Sequence, residues 1–220
     1  MRWNWELPGW PAFKYDFNHI AHLEKEFLKG VKQLPPIPQS YSPIPTLRST
    51  MLQTFDELLT DEIIWDWHFN LFKGQPPHNW GTYRTESVQI SYFPCYGFPR
   101  VIFKGPPSTR ISSEMEAYIK WFNASRKEES ILGRAAISYV HFLSIHPFKD
   151  GNGRIGRLLV EKNLSQAINR PCPIERALEQ HRQKCCLFLK QCNHTMEAQP
   201  WVEFFAGLAV DAVTKHPHKA

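Results

Sequence analysis

The stretch that most restricts the fold is an apolar segment that stops at a proline and continues into glycines. Ile131 to Ile145 carries Leu132, Ala135, Ala136, Tyr139, Val140, Phe142 and Leu143 around most of a helical circumference. Such a helix is stable only when buried nearly all round. Pro147 disfavours helical backbone at His146, so the helix must stop there with an imidazole at its end. After Phe148-Lys149-Asp150-Gly151-Asn152-Gly153-Arg154, the residues Ile155, Leu158, Leu159 and Leu164 recur at helical spacing. The expected arrangement is a buried helix, a glycine-rich turn and the N-terminus of a second helix beginning near 152–154.

That turn suits phosphate. Free N–H groups and the dipole at a helix N-terminus attract an anion. Gly151 and Gly153 allow close approach and positive φ, and Asn152 offers an amide donor. Arg154 and Arg157, three apart, can fork onto phosphate oxygens. Asp150 is a carboxylate of the kind that holds Mg²⁺ together with phosphates and water. His146, ordinarily near neutrality, can take a proton from a hydroxyl nucleophile. Nucleotidyl transfer needs this set. A lone Asp-Gly or His-Pro is an ordinary turn, but a structural turn needs no two arginines, aspartate and histidine around its glycines.

His146 to Arg157 matches every specified position of the Fic signature, His-Pro-Phe-x-(Asp/Glu)-Gly-Asn-Gly-Arg-x-x-Arg. The chain thus resembles Fic enzymes, which transfer AMP from ATP to a Ser, Thr or Tyr hydroxyl of a protein. The resemblance implies a mainly α fold, with a Fic-type helical core and a small β-hairpin flap beside the active-site loop. It makes His146 the general base and Asp150 the Mg²⁺ ligand. Gly151, Asn152 and Gly153 become the anion hole, and Arg154 and Arg157 the clamp on the β/γ phosphates. Phe148 becomes a core anchor within the cofactor-binding stretch. Gly-Asn-Gly-Arg favours AMP transfer over the phosphate transfer of Doc-type relatives. The motif fixes the phosphates and not the base, so UMP, GMP or phosphocholine transfer is an alternative, as is a nucleotide-binding interaction module without turnover.

With 220 residues and 42% hydrophobic content the chain can build a real core. The formal charge of +5 suits an anionic ligand, with no basic stripe for nucleic acid. No apolar run is long enough to span a bilayer. Five cysteines without a C-x-x-C pattern fit a reducing cytoplasm. His181, Cys185, Cys192 and His194 are poorly spaced for a metal site, so packing is the expected role.

Three parts are expected. Residues 1–45 form a Trp-rich arm, a helix from Phe17 to Val31 and a Pro-rich linker from Leu34 to Pro45. The Fic core follows at 46–215, then a tail at 216–220. The helix should face Ile20, Leu23, Phe27 and Leu28 inward and end near Gly30. A short helix is expected over Thr46–Leu58, and Thr60 should cap a helix carrying Ile63, Ile64, Trp67, Leu71 and Phe72, with His68 packed in the core. Val88, Ile90 and Tyr92, then Val101 and Phe103, read as a hairpin. By resemblance it is the flap, whose edge pairs with the target protein over about 88–103. Ser112 or Ser113 should cap a helix over Glu114–Asn123, the central helix should run from Glu128, and single helices are expected over Ile174–Gln191 and Trp201–Val213.

Fic enzymes are commonly restrained by a helix bearing Ser/Thr-x-x-x-Glu-Gly/Asn, whose Glu pairs with the second motif arginine. Glu86, Glu116 and Glu129 each follow Ser or Thr at that spacing, yet no Glu in the chain precedes Gly or Asn. The resemblance therefore implies a free Arg157 and constitutive activity, or an antitoxin-like protein that supplies the Glu in trans.

Overall fold

The computed structural model describes residues 2–34, 51, 55–76, 80–92, 98, 100–127, 130–172 and 174–215. The linker at 35–45, most of the expected 46–58 helix, the hairpin turn and the tail lie outside them. The described helices are α1 (Ala21–Val31), α2 (Asp61–Leu71), α3 (Ile111–Ala124), α4 (Ile131–Ile145), α5 (Asn152–Ile168), α6 (Glu175–Gln180), α7 (Arg182–Thr195) and α8 (Gln199–Thr214). Strands β1 (Gln89–Tyr92) and β2 (Arg100–Lys104) pair antiparallel between α2 and α3.

The apolar run behaves as its composition demands. Within α4, residues 132–142 and also Ser144 and Ile145 are buried. Two hydrophobic clusters meet along it. One joins Leu132, Ala136 and Val140 to Phe27 of α1, Val160 and Leu164 of α5, and Trp201 and Phe205 of α8. The other joins Phe142 and Ile145 to Trp67 of α2, Met115, Tyr118 and Phe122 of α3, and Ile155 and Leu159 of α5. Burial of this order, at about 25 cal/mol per Å² of apolar surface, is the main force assembling the domain.

Polar groups set where the helices begin. Thr60 accepts from Ile63 N–H at 3.4 Å and caps α2 as expected. The central helix starts at Ile131, because Ser130 Oγ accepts from Gly133 N–H at 3.0 Å. Glu24 of α1 reaches the same end and accepts from Ile131 N–H at 3.1 Å. A carboxylate there also opposes the positive end of the helix dipole. Near the other face of α4, Arg134 donates to Ser125 Oγ, Asn163 Oδ1 and the Phe122 carbonyl, tying α3, α4 and α5 together.

Several boundaries differ from expectation for identifiable reasons. Helix α1 does end at Val31, next to Gly30, but the glycine has a second reason: a Cβ there would stand 2.7 Å from Val213 Cγ2, so it permits close crossing of α1 and α8. Leu28 is 36% exposed and lies off the buried face. The third helix starts at Ile111, before the serines expected to cap it, and Ser113 Oγ donates back to the Arg110 carbonyl. The expected 174–191 helix is broken at His181, whose backbone departs from helical values between α6 and α7. In the hairpin, Ile90 opposes Phe103 while Ser91 opposes Val101, so the ladder is bulged. Phe103 is buried whereas Val101 is 44% exposed, which breaks the simple alternation.

The tryptophan-rich arm packs onto this body through indole N–H groups. Trp5 Nε1 donates to the Lys104 carbonyl at 2.9 Å and Trp10 Nε1 to Glu114 Oε2 at 2.8 Å. Lys14 makes a parallel bridge with Glu197. Beneath the arm, His141 is 2% exposed among Trp10, Phe13, Tyr118 and Trp121, and its Nε2 finds no partner among the described residues.

Burial pulls the His141 pKa down from 6.5 to about 3. Below pH 6.5 the unfolded chain takes up a proton here and the folded chain does not, so stability falls as pH falls. From pH 6.5 to pH 4.5 that loss is about 2–3 kcal/mol. His141→Phe is expected to remove this part of the slope in denaturant melts at the two pH values. An unchanged slope would refute the assignment.

Candidate active site

The loop between α4 and α5 has no regular hydrogen-bond ladder, so its shape depends on anchors. His146 follows the last turn of α4 in the left-handed region, with φ 52° and ψ 60°, and its N–H still donates to the Phe142 carbonyl at 3.0 Å. A non-glycine residue is held there only by its surroundings. Phe148 supplies the deepest anchor. It is fully buried and stacks on the His68 ring at 3.8 Å with the planes 5° apart.

Both nitrogens of His68 are used. The Gly81 N–H donates to Nδ1 at 2.9 Å, so Nε2 carries the proton and donates to the Asp150 carbonyl at 3.1 Å. Burial lowers its pKa, which favours this neutral form. His68 is therefore a packed histidine as expected, and it also holds the loop.

Asn152 closes the loop from the other side. Its Oδ1 accepts from Phe148 N–H at 2.9 Å and its Nδ2 donates to the Phe148 carbonyl at 2.8 Å. The expected amide donor to a ligand is thus engaged within the loop, and what Asn152 offers an anion is its backbone N–H. Phe148 likewise faces the core and leaves the ligand-facing set. The Gly151 backbone has φ 83°, and a Cβ there would stand 2.9 Å from the Phe72 ring, so glycine is required twice over. At Gly153 a Cβ would meet only Arg157 Nη1, at 3.7 Å. That open space joins the helix N-terminus to the arginine.

Charge is arranged around this N-terminus. Asp150 is 67% exposed at its side chain; Oδ1 accepts from Gly151 N–H at 2.6 Å and Oδ2 lies 3.4 Å from Arg154 Nη2. The Arg154 guanidinium lies over the Phe72 ring at 4.8 Å. Arg157 is not free. Its Nε is 3.1 Å from Glu175 Oε1 and its Nη2 is 2.9 Å from Glu179 Oε2. Two carboxylates from α6, on the C-terminal side of the motif, thus occupy the second motif arginine without any Glu-Gly or Glu-Asn sequence. Periodicity could not reveal this pairing, because it depends on where α6 folds back.

His146 has the attributes of a base. Its Nδ1 lies 3.2 Å from the Leu143 carbonyl, which can only accept. Nδ1 therefore carries the proton and Nε2 keeps its lone pair. Burial, with a smaller contribution from the Arg84 charge, lowers its pKa from 6.5 to about 4 against the opposing pull of the Leu143 bond and Asp150. A cleft of about 480 Å³ lies beside the loop, between His68, Tyr83, Val88 and Asp150.

Residues 58–164 match the model of the Fic/DOC family. Over those residues, just under half of the chain, the sequence is similar to the Fic/DOC family. Protein adenylyltransferase Fic of Nematostella vectensis is 30% identical over 164 residues, covering 73% of this chain and 34% of that protein. Its counterpart in Culex quinquefasciatus is 36% identical over 100 residues, covering 44% of this chain and 19% of that protein. The chain thus spans about a third or less of these relatives. Fic-1 from C. elegans superposes with a TM-score of 0.61 at 15% identity, over 90% of this chain and 69% of that one. A Fic family protein from Desulfovibrio desulfuricans gives 0.59 at 22% identity, over 86% and 57%. These likenesses establish the helical Fic fold with its small antiparallel hairpin.

The residues fit a magnesium ion at one point, the exposed Asp150 carboxylate beside the N-terminus of α5. Among the described residues no three His, Cys, Asp or Glu side chains converge. A single carboxylate suits Mg²⁺ when phosphates and water complete the shell. No described helix is long and apolar enough to cross a membrane.

The protonation state of His146 is directly measurable. Its ring resonances are expected to titrate near pH 4 in NMR, and a midpoint at 6.5 would overturn the buried-base geometry.

Proposed function

We propose that the chain is a protein adenylyltransferase, moving AMP from ATP to a Ser, Thr or Tyr hydroxyl of another protein. The observation that carries this reading is the six-residue connection from α4 to α5. It sets the Nε2 lone pair of His146, the first N–H groups of α5, the arginine pair and the Asp150 carboxylate around one end of one helix. Similarity to proteins named adenylyltransferases supports it.

The β/γ phosphates lie on the N–H groups of Asn152 and Gly153, with Arg154 and Arg157 forking onto their oxygens. Asp150 would hold Mg²⁺, which neutralises phosphate charge when bound. A target segment lies along the flap, where main-chain pairing accepts varied side chains while fixing the position of the hydroxyl. The hydroxyl oxygen attacks the α-phosphorus as its proton passes to His146 Nε2. The bond from the α-phosphorus to the bridging oxygen breaks, and pyrophosphate leaves with that electron pair. With its pKa near 4, His146 is neutral and ready to accept a proton throughout the neutral range.

Label from ATP carrying radioactive α-phosphate is expected on protein bands from a lysate with Mg²⁺. His146→Ala should lower this by about 10²–10⁴-fold while ATP binding is kept. Transfer only from another nucleotide would replace AMP with that group. Labelling unaffected by His146→Ala would overturn the base assignment.

Arg157 must exchange Glu175 and Glu179 for phosphate. Substituting Glu175→Gln together with Glu179→Gln is expected to tighten Mg·ATP binding by about tenfold in calorimetry, equivalent to 1.4 kcal/mol. Unchanged affinity would mean that Arg157 keeps its carboxylate partners while nucleotide is bound.

A further inference from the structure

Arg84 precedes the flap and is 7% exposed, yet its hydrogen-bond partners among the described residues are all backbone carbonyls. Nε donates to the His146 carbonyl at 2.8 Å, and Nη2 to the Ile145 carbonyl at 3.4 Å. Nη2 also donates to the Pro106 carbonyl at 2.7 Å, and Nη1 to the Glu86 carbonyl at 2.7 Å. The Arg84 N–H adds a bond to the Pro147 carbonyl at 2.8 Å. One planar fork therefore joins both ends of the flap to the last carbonyl of α4 and to the residue carrying the base.

The physical demand is plain. The last carbonyls of a helix lack intrahelical donors and carry partial negative charge, which a cation satisfies. His146, in the left-handed region, turns its carbonyl away from the helical path, and only a donor arriving from outside α4 meets it. Five rigid N–H donors suit this better than a single ammonium. Space is kept for the fork as well: a Cβ on Gly105 would stand 2.9 Å from Arg84 Nη2 and 2.8 Å from Val88 Cγ1. Gly105 has no positive φ among the backbone outliers, so clearance explains the glycine.

We propose that Arg84 is a positioning residue for the transfer reaction, a clamp that fixes the flap edge relative to the His146 imidazole. The role in transfer rests on the adenylyltransferase reading; the clamp itself does not. Target pairing places a hydroxyl by the flap, whereas the base sits on the end of α4. The distance between nucleophile and base is thus set by whatever joins those two elements, and Arg84 joins them with four side-chain bonds. The nucleotide contacts, on α5, are not bonded to Arg84.

Arg84→Lys keeps the charge and loses the fork, and Gly105→Ala keeps the guanidinium and displaces it. Hydrogen exchange is measured by mass spectrometry on both variants and the parent chain, with ATP binding by calorimetry and AMP transfer at saturating ATP. Exchange is expected to rise about tenfold in the flap and in 145–150 together, while α8 stays protected. Turnover should fall by about 10–100-fold with ATP affinity unchanged. Loosening of one segment alone, or of neither, overturns the clamp. Joint loosening with full turnover, or a parallel loss of ATP affinity, overturns the positioning role. If the parent chain transfers no label from ATP but both segments loosen together, the transferase reading falls and the clamp is upheld.

Discussion

The whole arrangement depends on burial of one helix. Helix α4 is apolar on nearly every side, so water is excluded only if other elements surround it. Helices α1 and α8 cover one flank, α2 and α3 the other, and α5 lies along both. A helix so enclosed cannot shift without disturbing two cores. Its C-terminus is therefore one of the most firmly placed points in the molecule, and that is where His146 is carried.

From that fixed end the loop is shaped by polar bonds with little tolerance. Phe148 enters the core against His68, Asn152 closes on the backbone of Phe148, and Gly151 turns where a side chain would collide with Phe72. The result is a short connection held from both sides, by the stacked Phe148 ring and the Asn152 amide. Asp150 and Arg154 remain toward solvent, while Arg157 is drawn inward by Glu175 and Glu179. Those ion pairs keep a nearly buried guanidinium from lacking a counter-charge, whose cost would otherwise be severe. They also mean that the site as folded is partly neutralised.

Electrostatics separates the histidines by their surroundings. His68 uses both nitrogens in the scaffold, His141 is enclosed among aromatic rings, and His146 keeps one lone pair while its other nitrogen is tied to a carbonyl. All three have lowered pKa values, chiefly through desolvation. Of the three, His146 stands on the loop that leads into the N-terminus of α5.

The buried helix, its stop before Pro147, the start of α5 at Asn152, the cap at Thr60 and the hairpin were legible from local rules. Each rests on periodicity, proline geometry or a short-range hydrogen bond within a few residues. The identity of the motif residues was legible too, because their chemistry is carried by residue type and order. What lay beyond the sequence was which donor meets which acceptor across long separations. Asn152 reads as a ligand donor until Phe148 is folded against it, and Arg157 reads as free until α6 returns. Arg84 carries no motif, and its meaning arises only when the carbonyls of Pro106, Ile145 and His146, distant in the chain, converge on one guanidinium beside that of Glu86. Local sequence decides backbone conformation within a few residues, but satisfying buried charges and carbonyls is a problem of the whole packed chain. Only tertiary structure solves it.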